Sequence, residues 1–383
     1  MAGALVVVAC GDAPTKGGSG DSPSAAASLV DALKPIPTAD AEAIGRARGR
    51  SQVKSDEQVE LFPAYASRTK DGSRWELELR GWIYEPEEND YLRNKALGEL
   101  TEEMGNVPIT PLVRQRLGRF LVDNERGKSI EVTVAGKPLK LATSGEDGHF
   151  AGNFLVLEAE AAAWSKGGSL EVSVVLPEGD SRSFSTRLQL VEPDGFTIIS
   201  DVDDTIKISE VRNKPRLLQR TFAMEFEAVP GMAKVYDRWL GRDAHLHFVS
   251  SSPWQLFVPL AELVKGAGFP PATFSLKQVR PKDVKTTIDA LLADPLLTKP
   301  PAIRAVLDRF PKRRVIMVGD SGEKDPEIYG IIARERPAQI DRIYIRDVTG
   351  DAAEGDRYKA AFESIAREKW LIFKDAESLP SAP

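Results

Sequence analysis

A short acidic motif follows an apolar, β-branched run in the middle of the chain. Phe196 to Ser200 has the composition of a buried strand, and Asp201-Val202-Asp203-Asp204-Thr205 follows it directly. Because side chains of a strand alternate between its two faces, Asp201 and Asp203 are expected to point the same way. Close carboxylates perturb each other's pKa, and such pairs are typical of metal sites and acid–base catalysis. Asp201 is therefore the candidate nucleophile and Asp203 the candidate acid–base residue; the alternative is a solvated acidic turn.

Two later apolar runs also end in residues that are suited to phosphoryl chemistry. The run at 247–249 leads into Ser250-Ser251-Ser252-Pro253, where hydroxyl and backbone N–H groups can hold phosphate oxygens. The run at 315–318 leads into Gly319-Asp320-Ser321-Gly322-Glu323-Lys324-Asp325, where two carboxylates can face one crevice. Lys299 precedes a helical segment, and its ammonium can reach a bound phosphate. An ion held by such oxygen-rich groups is expected to be Mg²⁺.

The pattern of strands and helices brings these motifs to one edge of a sheet. From Phe196 onward, apolar strands alternate with amphipathic helical segments, which predicts an α/β domain with a parallel sheet and helices on both faces. Ligands of such sheets bind at the carboxyl ends of the strands. Residues 58–192 alternate apolar and polar side chains, which predicts a β-rich, sandwich-like domain of about seven strands with a helical insertion at 91–122. Residues 29–57 are expected to form a linker.

Taken in chain order, the four motifs resemble those of the haloacid dehalogenase superfamily of aspartate phosphatases. The strings around Asp201, Ser250 and Asp320 continue past these residues, for example into Pro253-Trp254. Over 194–376 they resemble the catalytic domain of the actin-patch-protein type of phosphatidate phosphatase, in a bacterial member. The resemblance implies a haloacid-dehalogenase-like Rossmannoid fold and Mg²⁺-dependent hydrolysis of phosphatidate to diacylglycerol and phosphate.

The resemblance also implies a role for each motif residue. The nucleophile forms an aspartyl-phosphate, and the second aspartate protonates the leaving oxygen and then activates water. The metal shields the nucleophile from the anionic substrate. The candidate residues are, as catalytic groups, Asp201, Asp203 and Lys299; as phosphate ligands, Ser250 and Ser251; and as metal ligands, Asp201, Asp203 through its backbone carbonyl, Asp320 and Asp325.

Three points stay open in this interpretation. One is which serine of the 250–252 triplet contacts phosphate, with Ser250 closest to the strand end. Family members often carry histidine directly before the motif lysine, whereas this chain has Thr298 before Lys299, so Lys282 and Lys285 are rival assignments. The motifs specify phosphoryl transfer but not the group that carries the phosphate. The alternatives to phosphatidate are a soluble phosphomonoester, or a surface lipoprotein that binds lipid or protein and has a vestigial site.

Composition excludes several other classes of site and partner. The net charge of −6 over 383 residues argues against nucleic acid, whose binding proteins usually carry a basic excess. The single cysteine, Cys10, excludes an internal disulfide and a cysteine-based zinc site. One local basic segment, 207–220, is expected to form either a surface for an anionic lipid headgroup or a solvated cap. Its basic residues beyond Lys207 are Arg212, Lys214, Arg216 and Arg220.

Residues 1–28 resemble the signal and tether of a bacterial lipoprotein. An apolar run ends in Val7-Val8-Ala9-Cys10, where a small residue precedes the cysteine that would be lipidated, and a stretch rich in Gly, Ser and Pro follows. No Lys or Arg precedes the run, so either the start lies upstream or the resemblance is accidental. The expected localisation is an exported, lipid-anchored envelope protein, with a cytoplasmic protein as the alternative. Peripheral membrane contact would then use the anchor or the basic segment.

Overall fold

The computed structural model describes residues 50–86, 90–134, 137–241, 244–353 and 355–382. The lipoprotein signal and tether predicted at 1–28, with Cys10, lie outside the described residues, as does most of the predicted linker. The described end of that linker packs on the N-terminal sheet, because Ser51 donates its backbone N–H to Val175 and its hydroxyl to Glu131, both 3.0 Å away. Among the described residues, no helix combines the length and the apolar character needed to cross a bilayer.

The N-terminal part is β-rich, as the alternating pattern predicts. Its nine described strands form one hydrogen-bonded sheet in the order β1-β3-β2-β9-β8-β5-β6, with β4 and β7 also paired to β3. The strands are β1 (Gln58–Leu61), β2 (Ala64–Arg68), β3 (Arg74–Pro86), β4 (Val122–Asn124), β5 (Glu131–Val134), β6 (Lys137–Lys140), β7 (His149–Leu157), β8 (Ser169–Val174) and β9 (Ser185–Val191). The sequence predicts a sandwich of about seven strands, whereas the nine described strands form one hydrogen-bonded sheet because the long β3 pairs with four of them.

A helical insertion between β3 and β4 packs against the C-terminal part. It consists of α1 (Asp90–Glu103) and α2 (Pro111–Gly118), and the side chain of Thr110 caps the N-terminus of α2. Arg116 of α2 is buried and donates to the carbonyl oxygen of Thr221 at 2.8 Å. A second contact joins the N-terminal sheet to the C-terminal part, since Phe62 stacks on Trp254 with ring centroids 3.9 Å apart. Through the contact of Arg116 with Thr221, the helical insertion supports the segment that follows the first acidic motif.

The C-terminal part alternates strands and helices. Its strands are β10 (Phe196–Ser200), β11 (Ala244–Pro253), β12 (Ala272–Lys277), β13 (Arg314–Asp320), β14 (Ile340–Arg346) and β15 (Trp370–Phe373). One further helix, α3 (Glu158–Trp164), lies in the N-terminal part between β7 and β8. The α-helices of the C-terminal part are α4 (Lys214–Leu218), α5 (Met232–Trp239), α6 (Phe257–Gly266), α7 (Val284–Leu291), α8 (Pro295–Arg309), α9 (Asp325–Glu335) and α10 (Asp356–Ala361), with a π-helical turn at Gln219–Ala223 and short 3₁₀ turns at Trp254–Leu256, Arg367–Lys369 and Ala376–Ser378.

The six C-terminal strands form a parallel sheet in the order β12-β11-β10-β13-β14-β15. The central β10 is buried on both faces because its apolar residues serve two cores. Ile198 lies in the core that includes α5 and α6, and Ile199 lies in the core that includes α8 and α9. The predicted α/β architecture, with helices on both faces of a parallel sheet, is confirmed. The carboxyl ends of β10, β11 and β13 consequently meet at one edge.

Candidate active site

The first acidic motif begins where β10 ends. Pairing of β10 with β11 and β13 stops at Ser200, and the backbone N–H of Asp201 donates to the carbonyl oxygen of Val318 at 2.8 Å. The chain then turns sharply, since Asp204 adopts the left-handed conformation with φ of 52°. Asp201 and Asp203 are both buried. The turn therefore delivers two carboxylates to the interior of the site, where burial disfavours their charged forms.

Asp201 is held by a buried ammonium and a hydroxyl. Nζ of Lys299, on the second turn of α8, lies 2.7 Å from Oδ1 of Asp201, and the hydroxyl of Thr205 donates to Oδ2 at 3.1 Å. The same Nζ lies 2.9 Å from Glu323 and 2.6 Å from Asp325. Burial alone would lower the pKa of Lys299, but the three carboxylates outweigh it and raise that pKa well above its ordinary value.

The structure brings Lys299, rather than its two rivals, to Asp201. Lys285 is exposed and pairs with Asp289 at 2.5 Å on its own helix, and Lys282 is also exposed. Thr298, which stands where related proteins often have histidine, shares a hydrogen bond of 2.8 Å with the hydroxyl of Ser251. This residue therefore connects the serine motif to the helix that carries Lys299.

Asp203 lies in a different set of contacts. Lys207 places its ammonium 2.6 Å from Oδ1 of Asp203, and the hydroxyl of Ser209 donates to the same oxygen at 2.7 Å. The hydroxyls of Ser250 and Ser252 donate to Oδ2 at 3.2 and 2.9 Å. Burial would raise the pKa of Asp203, but Lys207 and these hydroxyls together lower it to about 2.

Asp320 and Glu323 form an acidic cluster with Asp201. One carboxylate oxygen from each of Asp201, Asp320 and Glu323 lies within 4.8 Å of the others. Oδ1 of Asp320 accepts the N–H of Gly322 at 2.5 Å, whereas its buried Oδ2 has no hydrogen-bond partner within the described part of the chain. Burial, and then repulsion from neighbouring carboxylates, raise the pKa values of Asp201 and Asp320 well above the ordinary range. Three converging oxygens with an unsatisfied lone pair fit a hard divalent cation.

Asp325, predicted as a metal ligand, uses both of its oxygens inside the protein. Oδ1 pairs with Lys299 at 2.6 Å, and Oδ2 accepts the backbone N–H of Asp320 at 3.1 Å. A side chain at Gly319 would collide with this carboxylate, so glycine is required there for the close approach. Among the described acids, Glu323 lies in the oxygen cluster in its place. Asp325 thus orients the lysine and the backbone that carries Asp320.

The serine motif divides between two neighbours. Ser250, predicted to bind phosphate, donates to Asp203 and accepts the N–H of Ser252 at 2.9 Å. Ser251, the other predicted phosphate ligand, bonds to Thr298. The structure therefore places both hydroxyls at the site, where a substrate oxygen would have to compete with their present partners.

Sequence reasoning missed four groups that complete the site, and all four lie in strings that it quoted or bordered. Lys207 and Ser209 follow Asp203 closely, Ser252 ends the serine triplet, and Glu323 lies between the two acids of the last motif. A signal was available for Lys207, because a lysine four residues after a buried aspartate can return to it through a tight turn. No local signal separates Glu323 from a solvated acid.

Asp204, to which the sequence assigns no chemistry, shapes the loop that carries Ser209. Its carboxylate accepts the backbone N–H groups of Ser209, Glu210 and Val211 at 2.8, 2.9 and 2.8 Å. Arg346 at the end of β14 donates to the Asp204 carbonyl oxygen at 2.7 Å. Asp204 is therefore a structural residue that turns the chain back over Asp203.

A cavity of about 500 Å³ opens beside Glu323. Its wall includes Gly322 and Glu323 of the last motif, Arg212 of the basic segment, Lys324, and the loop from Leu291 to Pro295. Glu323 of the acidic cluster therefore faces a cavity that is wide enough for a small polar substrate group.

Comparisons with known proteins agree with the C-terminal motifs. Residues 196–347 match the family model described as "Phosphatidate phosphatase APP1, catalytic domain". Phosphatidate phosphatase APP1 of Saccharomyces cerevisiae is 35% identical over 160 residues, which cover 41% of this chain and 26% of the yeast protein. An uncharacterized protein of Schizosaccharomyces pombe is 25% identical over 208 residues, which cover 52% of this chain and 34% of that protein. The chain thus spans about a third or less of these relatives. The resemblance predicted from the sequence motifs is confirmed for this region.

Proposed function

We propose, from the premise that residues 196–347 form a catalytic domain of the APP1 phosphatidate phosphatase family, that this chain hydrolyses phosphatidate to diacylglycerol and phosphate. The reaction uses Mg²⁺ and an aspartyl-phosphate on Asp201. The observation that carries the proposal is the buried contact between Asp201 and Lys299 next to the oxygen cluster of Asp320 and Glu323. Every charged group that phosphoryl transfer to a carboxylate needs is present at one end of the sheet.

Asp201 is the nucleophile in this proposal. Its carboxylate oxygen forms a bond to phosphorus while the bond from phosphorus to the glycerol oxygen breaks. Lys299 and Thr205 hold the carboxylate in one orientation before substrate arrives. Because Lys299 also contacts Asp325 and Glu323, its position is set from three directions, and its charge offsets part of the repulsion felt by an incoming phosphate.

Asp203 acts first as the general acid and then as the general base. In the first step it gives a proton to the departing diacylglycerol oxygen, and in the second it removes a proton from the water that attacks the aspartyl-phosphate. Without substrate, Lys207 and the hydroxyls keep Asp203 ionised, since they lower its pKa to about 2. The negative charge of a bound phosphoryl group acts in the opposite direction and raises this pKa, so protonation of Asp203 is linked to substrate binding.

Mg²⁺ would be held by Asp201, Asp320 and Glu323, whose oxygens converge and include the unsatisfied Oδ2 of Asp320. The carbonyl oxygen of Asp203 remains a predicted ligand. When bound, the ion neutralises the clustered carboxylates and stabilises charge on the transferring phosphoryl group. Asp325 keeps Lys299 and the Asp320 backbone in place for this arrangement.

Phosphate release from dispersed phosphatidate and from a panel of soluble phosphomonoesters, with and without Mg²⁺, tests the proposal. We expect release from phosphatidate only with Mg²⁺, loss of turnover in Asp201→Asn, and unchanged turnover in Asp289→Asn, which removes an exposed carboxylate on α7. Acid-quenched protein should carry label from phosphatidate labelled in its phosphate in wild type but not in Asp201→Asn. Activity on soluble esters alone would reject the lipid substrate, and turnover by Asp201→Asn would reject the nucleophile.

Attachment to a membrane through a lipidated Cys10 in the bacterial envelope is part of the proposal. It is supported by the apolar run and small residue before Cys10. The mass of the N-terminal peptide of the native protein tests it, because lipidation adds the mass of the acyl chains to the peptide that begins at Cys10. A peptide with an unmodified Cys10 would favour the cytoplasmic alternative.

A further inference from the structure

Two exposed leucines lie in, or two residues beyond, the loop that lines the cavity beside Glu323. Leu292 follows the last residue of α7 and is 43% exposed, and Leu297 lies in the first turn of α8 and is 58% exposed. Leu292 lines the cavity that contains Glu323, and Leu297 is two residues from the buried Lys299. Large exposed apolar side chains that are close in sequence and border a functional opening mark interaction surfaces more often than isolated ones do.

The same opening carries two cations that have no acidic partner. Arg212 and Lys324 are exposed and line the cavity, and neither side chain makes an ion pair or a hydrogen bond to any described residue. The other basic residues of the predicted cap are engaged. Lys214 pairs with Glu103 at 2.7 Å, Arg216 with Glu210 at 2.8 Å, and Arg220 with Glu210 and Glu227 at 3.0 and 3.1 Å.

The acidic residues at this opening have partners within the protein, and Glu323 pairs with Lys299 at 2.9 Å. Asp294 caps α8 by accepting the N–H of Leu296 at 3.0 Å. Asp351 accepts the hydroxyl of Thr349 at 2.7 Å and lies 3.7 Å from Arg357. Each of these acids therefore has a partner within the protein, whereas Arg212 and Lys324 make no ion pair with any described residue. Apolar side chains flanked by free cations are complementary to an anionic lipid surface.

We propose that Leu292, Leu297, Arg212 and Lys324 form a docking face that seats the active-site opening on an anionic phospholipid bilayer. The inference rests on the proposed function for its substrate, but it concerns how that substrate is reached. The leucines enter the interfacial region of the bilayer, and the two cations contact lipid phosphates. The headgroup of a phosphatidate molecule then enters the cavity beside Glu323 while its acyl chains stay in the bilayer.

Vesicle flotation with the full chain tests the docking face. Every protein carries Asp201→Asn to prevent turnover and Cys10→Ser to remove any lipid anchor, and the vesicles are phosphatidylcholine with or without phosphatidylserine. We expect binding that is stronger with phosphatidylserine. Leu292→Ser combined with Leu297→Ser should weaken binding about tenfold or more, because two apolar side chains no longer enter the bilayer. Leu157→Ser, which changes an exposed leucine at the end of β7, is the matched control and should leave binding unchanged.

Charge reversal tests the electrostatic half of the proposal. Arg212→Glu combined with Lys324→Glu should remove the preference for phosphatidylserine, since each cation near an anionic surface contributes about fivefold to binding. Lys70→Glu combined with Lys140→Glu reverses two exposed charges of the N-terminal sheet and should keep that preference. Thermal unfolding of each variant shows whether its fold is intact.

The outcomes separate docking from catalysis. No vesicle binding by the parent protein, or equal binding by the folded leucine variant and the parent, would overturn the docking face. If the chain with an intact Asp201 hydrolyses dispersed short-chain phosphatidate in either case, the proposed function still stands. Conversely, vesicle binding that depends on the leucines in a protein that releases no phosphate from phosphatidate would support docking and reject the proposed function.

Discussion

Asp201 and Asp203 are both buried and two residues apart, yet their carboxyl groups lie in opposite electrostatic settings. Asp201 shares one ammonium with two other carboxylates and lies near Asp320, and its pKa is raised well above the ordinary value by burial and by these acids. Asp203 has the Lys207 ammonium and three hydroxyls, and its pKa falls to about 2 despite burial. Burial acts in the same direction on both pKa values, so the charges and hydrogen-bond donors around each carboxyl group explain why the two pKa values shift in opposite directions.

The two sides of the site also differ in whether protein groups balance their negative charge. The Asp201 side carries more negative charge than Lys299 can balance, which is the condition that a bound divalent cation relieves. The Asp203 side is balanced within the protein, so it needs no ion and can respond to the charge of the substrate. Substitutions on one side of the site at a time test this difference.

The largest effect is expected from Lys299→Met. The variant leaves Asp201, Glu323 and Asp325 facing each other without their shared cation. Losing one partner of a buried ionic cluster costs about 3–5 kcal/mol. We expect the free energy of unfolding, measured with urea in chelator, to fall by this amount, and phosphate release to fall to background.

Lys285→Met is the control for this variant. It removes an exposed lysine that pairs only with Asp289, and it should change the free energy of unfolding by less than about 0.5 kcal/mol. An equal loss of unfolding free energy in both variants would mean that the buried contacts of Lys299 stabilise the fold no more than an exposed ion pair does.

A smaller effect is expected from the pH dependence that Asp203 contributes. Its pKa in the folded protein, about 2, lies below the ordinary 3.8, so its contribution to stability is full above 3.8 and is lost as pH falls through 2. Asp203→Asn should be less stable than wild type near neutral pH by about 2 kcal/mol. The difference in unfolding free energy between wild type and Asp203→Asn, measured with urea at a series of pH values, should decrease between pH 4 and pH 2. A difference that is constant over this range would show that Asp203 is not held ionised by its neighbours.

The smallest effect is expected from the serine motif. Ser252→Ala removes one of the hydroxyls on Asp203 and should cost about 1 kcal/mol of unfolding free energy, with a modest upward shift in the acid limb of the pH–rate profile. Ser251→Ala is the matched change, because its hydroxyl bonds Thr298 instead of Asp203, and it should leave the acid limb in place. The same shift in both variants would argue that the triplet acts on the substrate rather than on Asp203.

Local sequence patterns were sufficient to predict the architecture and the positions of the motifs. Period-two alternation indicated the β-rich part, and continuous apolar runs indicated the buried parallel strands, because these patterns follow from which faces of a strand are covered. The left-handed conformation of Asp204 and the close approach of Asp325 to Gly319 became evident only in the structure. Nothing local indicated that β3 would join the N-terminal strands into one sheet.

Sequence by itself thus determined that acids and hydroxyls follow three strand ends of one parallel sheet and that a lysine belongs to a nearby helical segment, because chain direction brings the ends of parallel strands to one edge. The tertiary structure decided which charged side chains come into contact. Lys299 rather than Lys282 reaches Asp201, Glu323 rather than Asp325 lies in the oxygen cluster, and both Ser250 and Lys207 turn to Asp203. The physical reason is that ionic partners are chosen by distances of a few ångströms between separate elements, which spacing along the chain does not encode.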